Sequence, residues 1–159
     1  MQKALLIAEK PSLMRDIQNA YNHCRQLVDY DIDFIAQVGH LMELIDPVEV
    51  NPIYKSWDID LLPIDPAKEG GWKYKVKKET KKIFLDIKKA IESGRYDAII
   101  HAGDPDQEGE LLVNLVLNQI GNTLPVLRLW SNDTTEIALE QALQNLRYDN
   151  EPQFTNLYN

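Results

Sequence analysis

The sequence predicts an α/β fold, a mainly parallel sheet of about four strands flanked by helices. Three observations carry this. Short runs such as Ala4-Leu-Leu-Ile-Ala8 and Ala98-Ile-Ile100 are apolar without alternation, as strands buried on both faces require. Segments with apolar residues at helical spacing follow them. The order is strand, helix, strand, irregular excursion, helix, strand, helix, strand, helix, which suits right-handed crossovers between parallel strands.

The first strand, Ala4 to Ala8, ends at Glu9-Lys10-Pro11-Ser12. Ser12 is the expected N-cap of a helix carrying Leu13, Ile17, Ala20 and Tyr21. Phe34 to Val38 reads as the second strand, with Gly39 giving a tight passage into His40. A lone histidine is usually structural or exposed. Four prolines (47, 52, 63, 66) and Trp57 mark an excursion over about residues 46–78. Near its end Trp72, Tyr74 and Val76 alternate with Lys73, Lys75 and Lys77, a short strand with a basic outer face. Ile83, Phe84, Ile87, Ala90 and Ile91 then define a helix that stops before Gly94. After the strand at Ala98 comes an acidic stretch, and then a helix from Leu111 to Ile120 closed by Gly121. Pro125 to Trp130 is a further buried strand, and Asp133-Thr-Thr-Glu136 reads as a capping box for a helix through Leu146.

A chain of 159 residues suits one domain with a proper core, expected over residues 1–149, with 150–159 beginning a linker to further domains. The formal net charge of −8 argues against a surface that grips a polyanion all over. Eight of the seventeen basic residues are nevertheless lysines between Lys73 and Lys89, a patch able to follow phosphates or simply to be solvated. Cys24 stands alone, which excludes an internal disulfide and a cysteine-based metal cluster. The first apolar run is too short for a signal-peptide core or a membrane span, so a cytoplasmic protein is expected.

Chemistry concentrates in His101-Ala-Gly-Asp-Pro-Asp-Gln-Glu-Gly-Glu110, where Asp104, Asp106, Glu108 and Glu110 fall on alternate residues. Pro105 pushes Asp104 toward extended geometry, in which alternate side chains project together. Carboxylates gathered so closely repel, and a hard divalent cation such as magnesium relieves them. A calcium loop is excluded, because its twelfth position falls on Leu115 rather than a bidentate glutamate. A solvated acidic helix start would account for Glu108 and Glu110, yet leaves Asp104 and Asp106 unexplained.

Glu9 at one strand end and Asp104-x-Asp-x-Glu108 at another resemble the two halves of the Toprim pattern. Ala8-Glu-Lys-Pro-Ser12, Gly39-His-Leu41, Trp57 through Pro63, Asp104 to Glu110 and Arg128-Leu-Trp-Ser131 occur in the order found in type IA DNA topoisomerases, in the manner of topoisomerase III. The resemblance covers nearly the whole chain. It implies a three-layer, Rossmann-like Toprim fold at the N-terminal end of a longer enzyme. That enzyme cuts and reseals single-stranded DNA through a tyrosine in a later domain, so none of the seven tyrosines here is the expected nucleophile. It further implies Mg2+ at Asp104, Asp106 and Glu108, proton transfer by Glu9 and charge stabilisation by Lys10. His40, Gln107, Arg128 and Ser131 become candidate phosphate contacts. Gln107 departs from the family pattern, which commonly has arginine there. Two other readings fit the acidic pocket: a different Toprim protein, nuclease or primase-like, and a receiver-like signalling domain. The receiver lacks the lysine it needs after the strand at Arg128.

Overall fold

The computed structural model describes residues 1–44 and 74–148. The expected proline-rich excursion up to residue 73, with the Trp57–Pro63 motif, Trp72 and Lys73, lies outside the described residues. So does the stretch from 149 onward.

The main sheet has the order β2-β1-β5-β6-β7. Its strands are β1 (Gln2–Ala8), β2 (Tyr30–Ala36), β5 (Ala98–Ala102), β6 (Val126–Arg128) and β7 (Arg147–Tyr148). The first four in the sheet run parallel, and β7 pairs antiparallel with β6 through Leu127↔Tyr148. A separate antiparallel pair joins β3 (Met42–Leu44) to β4 (Tyr74–Val76). Helices are α1 (Pro11–Cys24), α2 (Lys81–Glu92), α3 (Gln107–Ile120) and α4 (Glu136–Gln144).

Alternation along the central strands divides the core in two. Ala4, Leu6 and Ala8 of β1, with Ala98 and Ile100 of β5, meet α1 and α4 through Leu13, Ile17, Leu139 and Leu143. Leu5, Ile7 and Ile99 face the other way, onto Phe84 and Ile87 of α2 and Val113 and Val116 of α3. Strands apolar at every position are thus what a sheet covered on both sides requires. The layers are helix, sheet, helix, as expected. Among the described residues, no helix is long and apolar enough to cross a membrane.

Several local expectations are corrected. Helix α1 is capped at Lys10, whose backbone is extended, and Pro11 occupies the first turn; Ser12 is not the cap. Strand β2 begins at Tyr30, ahead of Phe34, and ends at Ala36. Its acidic residues are partnered: Asp33 accepts from the Tyr96 hydroxyl at 2.7 Å and Asp31 from Arg25 at 3.2 Å. Thr135, not Asp133, caps α4 by accepting from the Ala138 amide. That helix ends at Gln144, short of Leu146, and leaves room for β7.

Candidate metal centre at the ends of β1 and β5

Because β1 and β5 are neighbours with Ala8 opposite Ala102, their carboxyl ends release the chain at one level. Strand β2 lies on the other side of β1, and backbone bonds from Gln37 to Ala8 and from Gly39 to Glu9 carry the pairing past the strand ends. Open α/β sheets bind ligands at this edge. Here it brings residues nearly a hundred positions apart into contact: the Asp104 amide donates to Glu9 Oε2 at 3.1 Å.

Asp104 is half-buried, whereas Asp106 and Glu108 are exposed. Asp106 is the N-cap of α3, its Oδ1 accepting from the Gly109 amide at 2.6 Å. Glu108 Oε1 lies 3.0 Å from Nε2 of His40, which joins the loop after β2 to the first turn of α3. Lys10 and Gln107 are exposed beside these acids in the chain, and the Ser131 hydroxyl donates to the Asp133 carbonyl at 2.6 Å. A cleft of about 250 Å³ opens between Asp104, Asp106 and Ser131, with Leu13, Ile17 and Leu139 at its floor.

The acids are neighbours without converging on one point. Among the described residues, the three carboxylate or imidazole ligand atoms lying mutually within 4.8 Å belong to His23, Glu136 and Glu140, where α1 meets α4. There the His23 ring on α1 faces the Glu136 and Glu140 carboxylates on α4. No three of the carboxylates of Glu9, Asp104, Asp106 and Glu108 bring oxygens mutually within 4.8 Å, and the Gly109 amide and His40 each hold one carboxylate oxygen. Each of those carboxylates has a second oxygen, and the set is all hard oxygen donors open to water. Such a set suits Mg2+, which keeps several waters and takes few carboxylates.

Burial raises the Glu9 carboxyl above its ordinary value; the Asp104 amide opposes this, while the charges of Asp104 and Asp106 reinforce it. His101, fully buried below the loop, is held well below its ordinary value by burial and then by the charge of Arg128. Its bonds identify the neutral tautomer, because Nδ1 accepts from the Gly103 amide and Nε2 donates to the Glu110 carbonyl.

Arg128, a candidate phosphate contact by resemblance, is 0 % exposed and lies in the interior beneath the acidic loop. Glu110, read as part of an acidic helix start, is 1 % exposed and accepts from Arg128 Nε at 2.8 Å. Two glycines complete this substructure. A Cβ on Gly103 would meet the Gly109 carbonyl oxygen at 2.3 Å, and one on Gly109 would meet the Asp104 carbonyl oxygen at 2.3 Å. The loop therefore crosses the first turn of α3 in backbone contact. Only the Gly-x5-Gly spacing hinted at this in the sequence. The Glu110–Arg128 pair left no hint, because it joins a helix to a strand.

The Toprim domain family matches residues 4–144. The chain is similar to the DNA topoisomerase 3 of Staphylococcus epidermidis (strain ATCC 12228 / FDA PCI 1200), at 37% identity over 160 residues, covering 98% of this chain and 22% of that protein. It is also similar to the DNA topoisomerase 3 of Staphylococcus aureus (strain USA300), at 35% identity over 149 residues, covering 91% of this chain and 20% of that protein. The chain thus spans about a fifth of the length of these curated relatives.

Proposed function

The chain belongs to the Toprim domain family, and from that premise we propose that it is the magnesium-binding domain of a type IA DNA topoisomerase of the topoisomerase III kind. One observation carries the proposal: the Asp104 amide rests on the Glu9 carboxylate, so the acid that ends β1 and the acidic stretch that follows β5 share one site. Similarity to two proteins named DNA topoisomerase 3 supports it.

In this scheme Asp104, Asp106 and Glu108 would hold Mg2+. When bound, the ion offsets negative charge on a DNA phosphate. Glu9 keeps a proton to higher pH than an ordinary glutamate, which suits it to protonate the 3′ oxygen that leaves the phosphate and to take that proton back on resealing. Lys10, exposed next to it, stabilises charge on the same phosphate. His40, Gln107 and Ser131 would make further DNA or phosphate contacts. The attacking tyrosine, and the domains that enclose the single-stranded DNA, belong to a longer polypeptide.

Calorimetric titration with Mg2+ tests the metal assignment. Wild-type chain should bind, and Asp104→Asn/Asp106→Asn should show clear loss; equal affinity in the two would remove the assignment. Incubation of the chain with Mg2+ and single-stranded DNA should leave the DNA intact. Strand cutting by this chain alone would favour a Toprim nuclease.

A further inference from the structure

We propose that Arg128 is the positioning residue of the acidic loop, and that Glu110 serves to neutralise and aim it. The proposal deepens the metal reading above and rests on it for one of two readouts. The guanidinium is enclosed and serves several short backbone acceptors at once. Nη1 reaches the carbonyls of His101 at 3.1 Å, Gly103 at 2.8 Å and Leu129 at 2.8 Å, while Nη2 reaches that of Asp104 at 2.9 Å. Three of these acceptors belong to the segment that turns out of β5 into the acids. Glu110 Oε2 takes Nε at 2.8 Å, and Asn114 holds the other carboxylate oxygen at 3.2 Å, which fixes the pair to α3.

A buried ion pair of this kind contributes little net stability, because desolvation cancels most of the attraction. What it adds here is geometry. Its charge is already balanced by Glu110, so Arg128 does not act on the acids as a bare cation. It acts through a rigid planar fork that spans β5, β6 and α3 and fixes where the Asp104 backbone sits. A lysine in its place would keep the charge and lose the fork. The acids, left to their mutual repulsion, would move apart, and a metal would have to reassemble them.

The test uses Arg128→Lys, read by amide hydrogen exchange and by Mg2+ titration, with Leu143→Ala as a destabilised control far from the loop. Arg128→Lys should exchange faster at the Asp104 and Gly109 amides with β1 unchanged, and should lose about 10- to 100-fold in Mg2+ affinity, as removal of groups that orient metal ligands does. Leu143→Ala should keep wild-type affinity. Wild-type loop exchange in Arg128→Lys overturns the proposal, as does wild-type affinity in Arg128→Lys when Asp104→Asn/Asp106→Asn has lost affinity, or an equal loss in Leu143→Ala. If loop exchange rises while both Arg128→Lys and Asp104→Asn/Asp106→Asn bind Mg2+ like wild type, the metal reading fails and the positioning role stands. Should Arg128→Lys not fold, Glu110→Gln is read in the same way. Failure of both to fold overturns the proposal, because the pair would then govern the whole domain rather than the loop.

Discussion

Glu9 shows how one carboxyl is placed against its own stability. Its raised pKa means that the folded chain holds the proton more tightly than the unfolded one. The resulting stabilisation is present below the ordinary value of 4.5 and is lost as pH rises through the folded value, so the ionised group weakens the fold at pH 7. Glu9→Gln keeps an oxygen for the Asp104 amide and removes the charge. In metal-free buffer it should raise Tm at pH 7, and the gain should shrink to nothing in melts below pH 4.5. Gly109 is constrained by space instead. A methyl group there meets backbone atoms of Asp104 at 2.3 and 2.6 Å, which do not rotate away. Gly109→Ala should therefore lose about 2–3 kcal/mol in denaturant unfolding, in the range of overpacked cores.

At the scale of elements, helix α4 floors the cleft with Leu139 at one turn and supports only the core with Leu143 at the next. Leu143 is 1 % exposed in the layer shared with α1, on the opposite side of the sheet from α3. Leu143→Ala should lose about 2–5 kcal/mol in denaturant unfolding and leave Mg2+ affinity unchanged. The elements themselves were largely legible in the sequence, because β1 from Ala4 to Ala8 and β5 from Ala98 to Ile100 are unbroken apolar runs and α2 and α3 keep their spacing. Strand β2 was half hidden, since an outer strand alternates and Asp31 and Asp33 made its first half look like loop. Strand β7 has two residues, too few to carry a period. In the site, the close run of acids was legible because it is local. Arg128 was legible as a member of a buried strand, but its partner was not, because Glu110 lies eighteen positions earlier on another element.

For the molecule as a whole, the proposed ion is a ligand of the folded state only. At a concentration of 100 Kd it should add about 2.7 kcal/mol to unfolding free energy, visible as a rise in Tm that Asp104→Asn/Asp106→Asn abolishes. Topology sets a further condition on that folded state. Strand β1 lies between β2 and β5, and Ala4 pairs with Ala98. On a ribosome adding about 5–20 residues per second, the first strand therefore waits roughly 5–20 s for that neighbour to be made. During translation Leu5 and Ile7 lack the helices that later cover them, so a nascent chain stalled before residue 98 offers a sticky ribbon to chaperones and to its own copies.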